Sequence, residues 1–107
     1  MVSYNLSEMT KGWFVGNFDP SLYKTNDFEV AVKTYLAGSY EPPHFHKIAI
    51  EFTVIIEGEV QMNNNYYKQG DIIKISPNEV TDFRAITFAK TVVVKIPGAS
   101  NDKYTDL

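Results

Sequence analysis

Cysteine is missing from this 107-residue chain. Disulfides, thiolate nucleophiles and sulfur-rich metal centres are therefore excluded, and any metal ligand must offer nitrogen or oxygen. Arginine occurs once, at Arg84, and the other basic residues are lysines scattered along the chain. With 13 acidic against 10 basic residues and a net charge of −3, there is no clustered positive charge to hold a phosphate backbone, so no nucleic-acid partner is expected. No apolar run approaches the roughly 20 residues that span a bilayer, and Met1-Val2-Ser3-Tyr4-Asn5-Leu6 lacks the basic and apolar regions of a signal peptide. The expectation is a cytosolic protein with no membrane partner.

What is present points to one packed domain. Apolar residues make up 44% and charged residues 21% of the chain, near the averages of globular proteins, and the length suits one hydrophobic core rather than two. The expected domain covers 1–107, with a β core over about 28–96, an N-terminal segment 1–27 packed on it and a short polar tail released by Pro97-Gly98. Helix signals are confined to one short turn between Asn5 and Lys11, capped by Asn5 or Ser7 and ended by Gly12.

After Asp27, period-two alternation dominates, broken every eight to twelve residues or so by Gly, Pro or Asn, the rhythm of an all-β sandwich or barrel. In residues 28–36 the even positions are mainly apolar and the odd ones mixed, which predicts a strand with one face in the core. Pro42-Pro43 forces extended geometry and delivers His44-Phe45-His46 as the start of the next extended piece. Residues 48–57 read as a long strand apolar on both faces, so that one face lines the interior and the other meets a sheet or a second copy; a homodimer is expected. Strand 59–62, the turn Asn63-Asn64-Asn65 and the return Tyr66-Tyr67-Lys68 form a hairpin, since asparagine tolerates positive φ. Further strands fall at 72–75, about 80–83 and 91–96, separated by turns at Gln69-Gly70-Asp71 and Ser76-Pro77-Asn78-Glu79.

Both histidines lie in His44-Phe45-His46. On an extended segment residues i and i+2 share a face, so both imidazoles can reach one point. If the strand carrying Glu51 lies beside that segment, its carboxylate completes a 2-His-1-carboxylate set suited to Fe(II), Mn(II), Ni(II) or Zn(II), with open positions for water or substrate. An isolated His-x-His pair is otherwise an ordinary polar strand edge. Asp82 is a possible fourth ligand, although on a regular strand it turns away from the interior unless a bulge restores it. Tyr35, Tyr40, Thr53, Thr81 and Phe83 are weaker candidates for a ligand pocket, with core or rim packing as the plain alternative for the tyrosines, Tyr66 and Tyr67 included. Arg84 could hold an anion or form an exposed ion pair. Trp13-Phe14 with Phe18 would plug one end of the core or contact a partner, and Lys47 is expected outside it.

The spacing Gly38, His44, His46, Glu51, Gly58 matches G-x5-H-x-H-x4-E-x6-G and resembles the first signature of the cupin superfamily at every point. The run from Gly70 is similar to the second signature, G-x5-P-x-G-x2-H-x3-N, but only its glycine survives. Ser76 stands for the proline, Asn78 for the glycine, Thr81 for the metal-binding histidine and Ala85 for the asparagine. Pro77 and a left-handed Asn78 would preserve the turn, while the fourth ligand is lost. The resemblance implies an antiparallel cupin-type β-barrel (double-stranded β-helix, or jelly roll) with a divalent metal in its lumen and usually a dimer. It implies no particular reaction. Three readings stay open: a metal-dependent enzyme on a small organic molecule, of sugar isomerase, epimerase or dioxygenase type; a non-catalytic ligand-binding or regulatory module; and a structural subunit.

Overall fold

The computed structural model describes residues 1–106, and Leu107 of the expected 1–107 domain lies outside the described residues. A 3₁₀ turn at Leu6–Glu8 precedes β1 (Trp13–Val15), β2 (Glu29–Tyr35), β3 (Tyr40–His44), β4 (Ile50–Glu57), β5 (Glu59–Met62), β6 (Asn65–Lys68), β7 (Ile72–Ile75), β8 (Thr81–Ala85) and β9 (Ala89–Ile96). Every strand pairing is antiparallel. A five-stranded sheet ordered β1-β2-β9-β4-β7 faces a four-stranded sheet ordered β3-β8-β5-β6, giving the all-β architecture expected from the alternation. Ile55, Val60, Met62, Ile75, Phe83, Ala85 and Ala89 fill one end between the sheets.

Local chemistry explains each turn. Asn5 caps the 3₁₀ turn by accepting from Ser7 N–H at 2.9 Å, while Glu8 accepts from the Asn5 N–H. Asn63 and Asn64 take φ of 49° and 67° between β5 and β6, and Asn78 takes 70° after β7. Both turns thus use the tolerance of asparagine for the left-handed region. Strand β3 contains both Pro42 and Pro43. That is permitted because β3 is an edge strand whose register with β8 breaks between Glu41 and His44, so neither proline has to donate to the ladder.

Two sequence expectations are corrected. His44 ends a strand instead of opening one, because the prolines themselves are strand residues. On β2 it is the mixed odd face, Ala31, Lys33 and Tyr35, that looks inward, while Val30 and Val32 lie on the outer side of the sheet. Ala31 is fully buried, and Lys33 and Tyr35 line the space between the sheets. The interior is polar enough at this end that hydrophobicity alone picks the wrong face.

Gly38 and Gly58, the two glycines of the first signature, differ physically. Both have positive φ, 86° and 88°. A Cβ on Gly38 would meet nothing within 4 Å, whereas on Gly58 it would stand 2.1 Å from the Phe88 carbonyl oxygen. Gly38→Ala should therefore cost about 1–2 kcal/mol from backbone strain. Gly58→Ala should cost clearly more, because backbone must move as well. Urea unfolding of the two variants checks the order, and equal costs would contradict it.

Candidate functional site

The two sheets enclose a cavity of about 480 Å³, within the range of small-molecule sites. Its wall includes His44, His46, Glu51, Tyr35, Thr53, Thr81, Asp82 and Phe83. The strands present these side chains by alternation: Glu51, Thr53 and Ile55 on β4 stand opposite Lys95, Val93 and Thr91 on β9, and all but Ile55 line the cavity.

The histidine pair forms as the spacing predicts. His44 and His46 are both buried, and their rings meet edge to face with centroids 5.5 Å apart. His44 Nδ1 lies 3.2 Å from the Pro42 carbonyl oxygen. A carbonyl only accepts, so Nδ1 carries the proton and Nε2 keeps its lone pair. His46 Nε2 is buried with no hydrogen-bond partner. Burial, then the positive charge of Lys95 and the neighbouring His44, push the His46 pKa down to about 4. Its imidazole is consequently neutral near pH 7, the form that ligates.

Glu51 reaches the cavity from the opposite sheet, since β4 and β3 belong to different sheets. Its carboxylate accepts from the Thr53 hydroxyl at 3.2 Å. It shares the cavity with the histidines without closing a cluster: among the described residues no three His, Asp or Glu side chains are grouped so as to hold a metal ion. The donors nevertheless fit one chemically. Two imidazoles and a carboxylate suit a borderline divalent ion, and the orphaned Nε2 of His46 is the kind of buried polar atom that needs a partner.

Asp82 is committed elsewhere. Its carboxylate accepts from Asn63 N–H at 2.8 Å, and its own N–H donates to the Asn63 side chain at 3.1 Å, tying β8 to the β5–β6 hairpin. Tyr40 lies outside the cavity, half-exposed, with the Arg84 guanidinium 4.5 Å from its ring centroid. Tyr66 is exposed, and Tyr67 packs on the core. Trp13 and Phe18 meet edge to face at 6.4 Å and line the cavity, whereas Phe14 is not part of its wall.

Several contributors escape the sequence reading. Lys33, Lys95, Glu29 and Glu41 all line the cavity. Lys95 is the register partner of both Glu29 and Glu51, so the cation expected to be kept out at Lys47 is supplied by β9 instead. Lys47 itself is exposed, 4.3 Å from the Tyr104 ring centroid. Lys33 and Lys95 keep phase with Tyr35 and Val93, and that phase is the signal that could have found them. Tyr35 donates to Glu41 at 2.7 Å; burial and the adjacent Glu41 push its hydroxyl pKa well up, so it stays protonated.

The C-terminal segment is not released. Asp102 is buried and its carboxylate accepts from the N–H groups of Lys47 at 2.9 Å, Ile48 at 3.1 Å and Ala49 at 2.9 Å. Phe45 and Tyr104 exchange backbone hydrogen bonds of 3.0 and 2.9 Å, with rings stacked at 5.4 Å. The loop carrying His46 is thus strapped by residues more than fifty positions away. Its carbonyl also accepts from Asn78 N–H at 2.7 Å.

No family model matches the chain, and neither does any curated protein. Solved structures do. An uncharacterised protein with a double-stranded β-helix domain from Klebsiella pneumoniae is 27% identical over 69% of this chain, which spans 66% of it, with a TM-score of 0.65. An RmlC-like cupin of double-stranded β-helix fold from Methanocaldococcus jannaschii is 22% identical, covering 69% of this chain and 73% of its own, with a TM-score of 0.64. The DMSP lyase DddQ from Ruegeria pomeroyi is 17% identical, covering 88% of this chain but only 49% of its own, with a TM-score of 0.72. No helix among the described residues is long and apolar enough to cross a membrane.

Two acid effects follow from the buried groups. Burial favours protonation of Asp102, but the N–H groups of Ala49, Lys47 and Ile48 and the charge of His46 outweigh it and hold its pKa below the ordinary 3.8. Its contribution is present above that value and lost as pH falls below it. His46, lowered from 6.5 to about 4, stabilises fully above 6.5 and loses that contribution as pH falls through the interval. The stability difference between wild type and His46→Gln should therefore shift against wild type between pH 7 and pH 5, read from urea midpoints. Asp102→Ala should lose about 1–3 kcal/mol at pH 7 from unsatisfied N–H groups; an unchanged midpoint would remove the strap.

Proposed function

We propose, for a chain that is a double-stranded β-helix of the cupin superfamily, that its lumen binds a divalent metal ion through His44, His46 and Glu51, together with a small organic molecule. The observation that carries this reading is the buried, unpartnered Nε2 of His46 beside a His44 whose tautomer is set by the Pro42 carbonyl. Both imidazoles line the same cavity as a carboxylate. When bound, the ion supplies Lewis-acid polarisation of a ligand oxygen or a water of lowered pKa.

The chain's own residues define the remaining roles. Asp102 and Tyr104 hold the histidine loop in place, Thr53 orients Glu51, and Phe83 and Trp13 give the molecule apolar walls. Both imidazoles are used as ligands, so a proton for the bound molecule must come from elsewhere in the cavity; the Tyr35 hydroxyl is held by Glu41, and the ammonium groups of Lys33 and Lys95 line the same wall. A metal-dependent enzyme of sugar isomerase, epimerase or dioxygenase type uses such an arrangement. A non-catalytic ligand-binding module is the second reading, favoured by Lys95, whose charge beside Glu51 opposes a bound cation.

We also assign a second copy of the chain to the outer face of the five-stranded sheet. There Val94 lies between Val30 of β2 and Phe52 of β4, with Ile56, Ile72 and Ile96 exposed on the same sheet.

Elemental analysis of protein purified without chelator should find a divalent metal near stoichiometry, and His46→Ala should reduce it to a small fraction. Metal content unaffected by His46→Ala, with only thermal stability changed, would make the histidine structural. Light scattering should give a dimer for wild type and a monomer for Val94→Lys; a wild-type monomer would refute the pairing.

A further inference from the structure

Two ammonium groups line the lumen, each held only in a long ion pair. Lys33 Nζ is 4.0 Å from Glu41, and Lys95 Nζ is 4.0 Å from Glu29, both too long for hydrogen bonds. Glu41 already receives the Tyr35 hydroxyl at 2.7 Å, so Lys33 stands second in line for it. Neither lysine is free in solvent, with side-chain exposures of 22% and 16%. Both crowd one indole: Lys33 Nζ lies 5.7 Å and Lys95 Nζ 5.0 Å from the Trp13 ring centroid. Two like charges at one ring in a half-buried place repel each other, and burial lowers the Lys33 pKa against the opposing charges of Glu41 and Glu51, with Lys103 and then Lys95 adding to the fall. An acceptor between them would relieve that repulsion and fill their unused donors.

Donor chemistry decides what the acceptor is: two ammonium groups with unused N–H donors match the two oxygens of one carboxylate. With a divalent ion on the histidines and Glu51, the function proposed above on which this step rests, the other end of such a molecule meets a second anchor. We propose that the lumen takes a small organic carboxylate, its carboxyl group seated between the ammonium groups of Lys33 and Lys95 and its carbon skeleton against the face of Trp13. The carboxylate end of the ligand is then fixed by β2 and β9, and the opposite end is directed to the His44–His46 pair across the same cavity.

Trp13 is the chain's single tryptophan, so its fluorescence reports binding at this place. The test compares propionate with propionamide, and cyclohexanecarboxylate with its amide, on metal-loaded and chelator-treated protein whose metal content is measured on the same samples. At least one carboxylate should bind about tenfold or more tightly than its amide, the scale of a charge-assisted hydrogen bond. Lys33→Met and Lys95→Met should each bring the ratio toward one, and Lys33→Arg should keep most of it. Thermal melts identify any unfolded variant, in which case the other methionine variant decides. Ratios of one in wild type, no binding by either carboxylate, or an undiminished ratio in a folded methionine variant would each overturn the seat. Bound metal with a ratio of one would sink only this inference. A carboxylate preference in protein that binds no metal would sink only the metal reading.

Discussion

Period-two alternation in β2, β4 and β9 constrains the rest of the molecule. A strand that sends Ala31, Thr53 and Val93 into the space between two sheets must send every second neighbour there as well. Glu29, Lys33, Glu51 and Lys95 therefore arrive inside because of register, and the pairing Glu29–Lys95–Glu51 runs straight across the sheet. Charges placed in a low-dielectric space demand partners. The interior consequently divides into an apolar end, filled by Ile55, Val60 and Phe83, and a polar end where imidazoles, carboxylates and ammonium groups offset one another.

The histidines depend on a second constraint, the fastening of the loop between β3 and β4. Three successive N–H groups in this loop have no strand partner. A single carboxylate from Asp102 serves all of them, while Asn78 donates to the carbonyl of His46. The imidazole ring is thus located by backbone bonds on both sides of it, a more rigid support than side-chain packing alone.

Residues 38 to 58 made the candidate site legible in the sequence, because the gaps between glycine, histidine and glutamate encode a turn, a histidine pair on one short segment and a return strand. The hairpin at Asn63-Asn64 and the left-handed Asn78 were legible for the same reason: local backbone demands leave local residue preferences. What stayed hidden depends on distant partners. Trp13–Val15 is too short to show a period, and its pairing with β2 is set by tertiary contact. Asp102 looks like any polar tail residue, since the N–H groups it serves carry no side-chain signature. The inward face of β2 was misread because a binding cavity reverses the usual rule that the more apolar face is the buried one.

The paired prolines of β3 have a consequence beyond the geometry of His44. A sheet edge invites further strands to add to it, and a flat one seeds aggregation. Any chain approaching β3 from outside finds no donor at Pro42 or Pro43, so the ladder cannot propagate there. The residues that deliver the first imidazole to the lumen also leave that border of the protein unfit as a template for polymerisation.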